Sequence, residues 1–394
     1  MIYLDHNATT RPAPEAVQEM LDVLGHAWAN TSSQHGPGQD AKRALGAARA
    51  VVARVLGCKA VEVVFTSGAT ESNHHAVLGA LRAGRPQGRW RVVMSAVEHP
   101  GLIALGQRLK DEGGSLSLIP VNARGELDLA AAERLIGPDV AIVSVMGANN
   151  ETGVLMPLAE VARLAHAQGA LLHVDATQLV GKSMLRFADS GADLWSVSAH
   201  KLHGPKGCGA LLIRKGVLAP TGLPPLLSGR QERNRRGGTE NLPGIAGFAA
   251  AAERMSGRLA ADLAHMAAMR DRLEAGLRDL LGEDLVIYGA GTQRLPNTSC
   301  VRFGALESER VLGKLERAGV IASSGAACTA SGTQPSHVLL AMGCSAAQAR
   351  AGVRFSLGRD TTPAQIRRTV EAAARVVHPL MQVEQPAPAL AQAA

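Results

Sequence analysis

Between Val61 and Ile213 strand-like apolar runs alternate with helix-like stretches, and no other feature constrains the fold as strongly. The runs fall at Val61–Thr66, Trp90–Ser95, Ser115–Pro120, Val140–Val145 and Leu171–Val174, then one ending at Val197 and one at Ala210–Ile213. A helix is expected over 157–168, and others open after the small-residue turn at Ser67-Gly-Ala-Thr70 and at Glu98-His-Pro100. Such alternation predicts an α/β fold with a mostly parallel central sheet and flanking helices, in which ligands gather at the carboxyl ends of the strands. His99, Asn150, Asp175, Gln178, Ser198, His200 and Lys201 all fall at those ends or just beyond.

The stretch Asp193-Leu-Trp-Ser-Val-Ser-Ala-His-Lys-Leu-His-Gly-Pro-Lys-Gly-Cys-Gly-Ala210 places Lys201 on a loop after a buried strand. Gly204, Pro205 and Gly207 rule out a long continuing helix there. A lysine held beside a hydroxyl and an imidazole suits Schiff-base formation with a carbonyl cofactor, above all pyridoxal 5'-phosphate, which also needs a carboxylate at its pyridine nitrogen. An ordinary loop lysine would fit the same stretch. Asp175 closes an apolar strand, where a carboxylate needs a cation to offset its burial; it could equally cap a helix. The same two readings, ring contact or helix cap, hold for His99. The strand–turn–helix at Val61–Asn73 offers free backbone N–H groups and the Thr70 hydroxyl as an anion site.

Outside this region, Pro12 and Pro14 precede a helical run to about Leu24, and an Ala-rich helix is expected from about Asp40 to Leu56. A polar loop, Gly229–Asn241, leads into a long Ala-rich helical region reaching about Leu281. Beyond Gly289, strand-like Thr298–Phe303, a helix over 307–318, Gly319-Val-Ile321 and a last helix from Thr361 to about His378 suggest a smaller α+β unit. Cys328 lies in Ala322–Thr333, a run of Ser, Gly, Ala and Thr with almost no packing surface, where a thiol can reach a ligand. Cys58, Cys208, Cys300 and Cys344 read as packing or turn residues. Five cysteines without paired spacing suit a reducing cytoplasm. The net charge of +7 is spread along the chain. Its one basic cluster, Arg230–Arg236, lacks interleaved aromatics, so it points to local anion handling and not to nucleic acid. No signal peptide and no membrane span are expected, and His74-His75 lacks metal-ligand spacing.

Taken together, the motifs resemble those of the NifS/IscS-type cysteine desulfurases, in the class V aminotransferase group of pyridoxal-phosphate enzymes, closest to the NifS branch. The resemblance runs through Tyr3-Leu-Asp-His-Asn-Ala-Thr-Thr, Thr66-Ser-Gly-Ala-Thr-Glu-Ser, Glu98-His, Ala148-Asn-Asn-Glu-Thr-Gly, His173-Val-Asp-Ala-Thr-Gln, Ser198-Ala-His-Lys, Arg236-Gly-Gly-Thr-Glu-Asn, Ser323-Ser-Gly-Ala-Ala-Cys-Thr and Val353-Arg-Phe-Ser-Leu-Gly-Arg359. It implies the transferase fold type I: a large cofactor-binding domain over 12–260, a small domain from 1–11 and 261–380 carrying a mobile Cys328 loop, and a disordered tail over 381–394. By motif, Lys201 forms the Schiff base, Asp175 holds the pyridinium, Gln178 and Asn150 flank the ring oxygen, and His99 stacks on the ring and shuttles protons. Ala69, Thr70, Ser198 and His200 resemble the phosphate cup, to which Thr239 contributes from the neighbouring subunit of a homodimer with shared sites. Arg354, with Asn150, resembles the binder of the substrate carboxylate. The implied reaction converts L-cysteine to L-alanine and leaves a persulfide on Cys328 for an iron–sulfur scaffold or another acceptor. The alternatives are a selenocysteine lyase, another class V enzyme, or a sulfur carrier without turnover. Ala29-Asn-Thr-Ser-Ser replaces the frequent Gly-Asn-Pro-Ser-Ser, and the longer tail of housekeeping members is missing.

Overall fold

The computed structural model describes residues 1–218, 222–325 and 334–384. Seven strands form the central sheet in the order Val63–Thr66, Gly209–Ile213, Leu194–Ser198, Leu171–Asp175, Val140–Met146, Arg91–Ser95 and Ser115–Ile119. Gly209–Ile213 alone runs against the others, so the sheet is mostly parallel, as the alternation implied. Val63–Thr66, Gly209–Ile213, Leu194–Ser198 and Val140–Met146 are buried throughout because helices cover both faces. The two-residue period of a strand divides their side chains between two cores. Val63, Phe65, Val143, Val145 and Trp195 join the larger one, whereas Val64, Ile142, Leu194 and Leu211 pack with Ala76 and Val77 of the helix Ala69–Gly84.

A second, antiparallel sheet orders Ser323–Ser324, Gly352–Ser356, Thr298–Phe303 and Leu285–Tyr288. Ile2–Tyr3 pairs with Val320–Ile321 beside it. Ile2 and Leu4 thereby share a core with Leu273, Leu277, Val301, Phe303, Val353 and Phe355. Val353 and Phe355 point into that core, so the period of two turns Arg354 to the opposite face.

Three details differ from expectation. The Ala-rich region after Asn241 is two helices, Leu242–Ser256 and Leu259–Leu281, parted at Gly257-Arg258. Leu285–Tyr288 and Gly352–Ser356 are strands that the sequence did not announce. In the Arg230–Arg236 cluster two arginines bond within the protein: Arg235 donates to Val61 O at 2.7 Å and Arg236 pairs with Glu71 at 2.9 Å. At the chain's end, residues 381–384 lie in the helix His378–Glu384, and 385–394 fall outside the described residues.

Candidate active site

The carboxyl ends of the parallel strands open into a cavity of about 480 Å³, a size suited to a cofactor with a small substrate. Its walls include Ala69, Thr70, His99, Asn150, Asp175, Gln178, Ser198, His200, Lys201 and Arg354. The site residues named from sequence therefore converge, apart from two. Thr239 lines a separate cavity of about 170 Å³ that shares only Ser67 and Gly207 with the first. Cys328 lies within 326–333, outside the described residues.

Lys201 ends a single 3-10 turn, Ala199–Lys201, directly after the strand Leu194–Ser198. Its Nζ donates to Asn7 O at 2.6 Å and Ala8 O at 2.7 Å, two carbonyls of the N-terminal loop. Opposite it, Asp175 is 5% exposed. Its Oδ2 accepts from Asn73 Nδ2 at 2.8 Å and its Oδ1 from Thr177 N at 3.0 Å. The short-range turn to Thr177 replaces the helix cap that the sequence allowed, since no helix starts there. His173, two residues earlier on the strand, is held between Ser144 Oγ at 2.8 Å and Ser196 Oγ at 2.9 Å. Burial pushes its pKa down to about 4 despite the pull of Asp175. The imidazole beneath the carboxylate is thus neutral.

For His99 the helix-cap reading holds. Its Nδ1 accepts from Gly101 N at 3.1 Å and caps the helix Pro100–Asp111, while the ring lines the cavity. Burial lowers its pKa against the opposing pull of Asp175, and Lys201 and His337 push the same way as burial. With Nδ1 accepting, the neutral ring carries its proton on Nε2. The neighbouring Glu98 is fully buried, with Oε1 accepting from Ser95 Oγ at 2.5 Å and Met146 N at 2.6 Å. Burial raises its pKa to about 8, so it is a neutral acid.

At the other end of the cavity, Gly68 (φ 153°, ψ −179°) precedes the helix Ala69–Gly84 in a conformation open essentially to glycine. No side chain caps this helix, so its first N–H groups remain available to an anion. Ser198 and His200 close that end, His200 bonded to Thr9 Oγ1 at 3.1 Å and lowered to about 4 by burial, Lys201 and nearby lysines.

Arg354 is 3% exposed. One terminal nitrogen donates to Asn150 O at 3.1 Å and the other to Asp5 Oδ1 at 2.8 Å, and the buried Nε has no partner among the described residues. The donor set fits pyridoxal phosphate: an uncapped helix start for the phosphate, an amine for the carbonyl, and a buried carboxylate whose hydrogen-bond partners are neutral for the protonated pyridine.

Sequence reading missed several residues of this site. Asn73 orients Asp175, and Asp5 holds Arg354. Asn7 accepts Gln178 Nε2 at 2.9 Å on the same carbonyl that meets Lys201. Lys182 donates to Gln178 Oε1 at 2.5 Å. The signal for Asn7 was its place in a polar loop after the first apolar residues; for Lys182 it was the four-residue spacing from Gln178.

Known proteins resemble this chain along nearly its whole length. The profile of the Aminotransferase class-V family matches residues 2–369. A cysteine desulfurase of Cereibacter sphaeroides is 45% identical over 381 residues, covering 96% of each chain. The cysteine desulfurase NifS of Azotobacter vinelandii is 42% identical over 384 residues, covering 97% of this chain and 94% of its own. Among solved structures, a NifS-like protein superposes with a TM-score of 0.87 at 33% identity, covering 95% of this chain and 98% of the other.

Proposed function

The chain belongs to the class-V aminotransferase family, and from that premise we propose that it is a pyridoxal-phosphate-dependent cysteine desulfurase of fold type I, converting L-cysteine to L-alanine. The observation that carries this reading is the convergence of one amine, Lys201, one buried carboxylate, Asp175, and one guanidinium, Arg354, on a single cavity.

When bound, pyridoxal phosphate supplies a carbonyl for the substrate amine and a ring that takes up an electron pair from carbon. The chain's own residues supply the rest. We assign Lys201 Nζ to the cofactor carbonyl and afterwards to moving the proton of the substrate α-carbon. Asp175 holds the ring nitrogen, with His99 against the ring. Gln178 and Asn150 take the ring oxygen, and Ala69, Thr70, Ser198 and His200 take the phosphate. Arg354, steadied by Asp5 and Asn150, takes the substrate carboxylate. Neutral His99, with Nδ1 accepting from Gly101 N, can donate a hydrogen bond from Nε2 to a group bound in the cavity.

Sulfur leaves by attack of the Cys328 thiolate on the substrate sulfur. An S–S bond forms as the C–S bond breaks, the electron pair of that bond stays on carbon, and a proton added there completes the methyl group of alanine. The persulfide then supplies an acceptor for iron–sulfur cluster assembly. A nitrogenase-associated role is supported by the likeness to NifS.

Thr239 supports the reading of a homodimer with shared sites, because it lies outside the Lys201 cavity of its own chain yet next to it. The core joining Ile2 and Leu4 to residues 269–381 supports a small domain of 1–11 and 261–380 beside a large one of 12–260. No helix among the described residues is long and apolar enough to cross a membrane. Placement in the cytoplasm rests on the unpaired cysteines.

The test is alanine and sulfide release from L-cysteine under reductant, with Cys328→Ala beside the wild type. Equal yields that vanish in the variant support the reading. Unimpaired turnover by the variant removes the sulfur step from Cys328.

A further inference from the structure

A carboxylate stands where the site is to receive a phosphate. Glu71 lines the Lys201 cavity one residue beyond Thr70, in the first turn of the helix Ala69–Gly84. Its Oε2 accepts from Ser67 N at 2.9 Å, a bond that spans Gly68 and braces the turn leading into the uncapped helix start. A negative charge is favourable at a helix start, and for the same reason it competes there with an anion. Burial works to raise the Glu71 carboxyl, but the bonds from Arg236 and Ser67 outweigh it and hold the carboxyl below its ordinary value. Glu71 is therefore ionised at neutral pH.

Arg236 meets this carboxylate at two points. Its Nε donates to Glu71 Oε1 at 2.9 Å and its Nη2 to Oε2 at 3.2 Å, the fork geometry that matches a guanidinium to a carboxylate. Nη1 donates to Gly237 O at 3.1 Å. Water screens the pair little, since 22% of the Arg236 side chain and 12% of the Glu71 side chain are exposed. Two further carboxylates face Arg236, those of Glu232 and Glu240. Glu232 is bonded to Arg49 at 2.5 Å and to Phe65 N at 3.0 Å, and Glu240 to Thr31 Oγ1 at 2.7 Å. The other charged side chains lining the cavity are Lys206, Lys201, Asp175 and Arg354. Without Arg236, Glu71 would place an uncancelled charge at the helix start, and one nearby charge moves an ionic equilibrium by about 1–3 log units.

We propose that Arg236 is a positioning residue for the cofactor phosphate that acts through Glu71: it lets the carboxylate brace the Ser67-Gly68 turn while cancelling the charge that would repel an anion there. This rests on the reading that places the phosphate at Ala69 and Thr70.

The test is titration of the apoprotein with pyridoxal 5'-phosphate and with pyridoxal, followed by absorbance. The proteins are the wild type, Arg236→Gln, Glu71→Gln and the double variant, with thermal melting as a check of folding. Arg236→Gln is expected to bind pyridoxal phosphate about tenfold or more weakly and pyridoxal unchanged. In Glu71→Gln the amide oxygen still accepts from Ser67 N and the freed guanidinium adds attraction, so pyridoxal phosphate binds at least as tightly as in the wild type. The double variant, with neither charge, is expected to return to within about threefold of the wild type. It holds no unpaired charge, so it decides the matter even where Arg236→Gln fails to fold. A double variant as weak as Arg236→Gln, or tenfold weaker than the wild type, would overturn the proposal, because Arg236 would then act on the phosphate itself or through its loop. An unmoved Arg236→Gln, or equal losses for both ligands, would overturn it too. A wild type that binds pyridoxal as tightly as pyridoxal phosphate would remove the phosphate assignment itself; a wild type that prefers the phosphate form, with unmoved variants, would remove only the role of Arg236.

Discussion

Gly325 immediately precedes the segment with Cys328, and replacing it by alanine probes how that segment is held. A Cβ built there falls 2.1 Å from Glu151 Oε2 and 2.9 Å from its Cδ. Glu151 cannot swing aside freely. It is 2% exposed, and Oε2 accepts from Ser336 Oγ at 2.5 Å, just beyond the other end of the segment. One carboxyl thus bonds the chain on one side of residues 326–333 and fills the space beside it on the other. In the wild type, Gly325→Ala either overpacks the site, at about 1–3 kcal/mol, or breaks the Ser336 bond and orphans a buried group, at about 1–3 kcal/mol. In a Glu151→Ala background the obstacle is gone, and the same substitution should be neutral or stabilise by about 0.4–1 kcal/mol through the unfolded chain. The expected coupling is therefore about 1–4 kcal/mol, of a sign that makes the double variant more stable than the sum predicts. Urea unfolding of the four proteins at neutral pH measures it. Additivity within about 0.5 kcal/mol would refute the argument that the Glu151 carboxyl sets the space at Gly325.

Two further outcomes test the electrostatics of the cavity. Asp175→Asn keeps shape and a bond to Asn73 but loses a charge-assisted hydrogen bond worth about 1.5–3 kcal/mol; spectroscopic titration of the apoprotein should show pyridoxal phosphate binding about 10–100-fold more weakly, and undiminished affinity would take the pyridinium away from Asp175. Glu98 has a folded pKa of about 8, above the ordinary carboxyl value of 4.5, so the folded state binds more protons between those values. Its contribution to stability is complete below the lower value and is lost as pH rises through the window, at about 1.4 kcal/mol per pH unit for one proton. Glu98→Gln should remove that slope, making the variant gain on the wild type as pH rises; parallel stability curves would show that Glu98 is ionised in the fold.

The parts legible in the sequence are those written in local periodicity. Asp175 and Lys201 stood out because each interrupts the end of a buried apolar run, and a polar residue there has few alternatives to a site. Glu151 and Lys182 gave no such signal. Each sits among ordinary turn residues, and its burial is produced by elements far along the chain, Ser336 in one case and the N-terminal loop in the other. The strand Gly352–Ser356 escaped notice because it is short and carries an arginine at its centre. That arginine is unremarkable in a two-faced strand once Asp5 and Asn150 await it on the second face.

Asn7 shows why the site exists only in the assembled fold. Its N–H donates to Ser356 Oγ at 2.9 Å, and its side chain reaches Thr298, both on the antiparallel sheet. Its carbonyl receives Lys201 and Gln178, both from turns that follow strands of the parallel sheet. The distance between the amine and the guanidinium is therefore fixed by polar atoms of one residue lying between the two sheets. Hydrogen bonds suit that task because their value is asymmetric: each contributes about 1 kcal/mol when made, yet a buried group left alone costs about 1–3 kcal/mol. Apolar packing tolerates small slides of one layer on another, whereas this network has one arrangement in which every partner is satisfied. The proposed reaction, in which Lys201 of one layer takes a proton from carbon while Arg354 of the other binds the carboxylate, would depend on that single register.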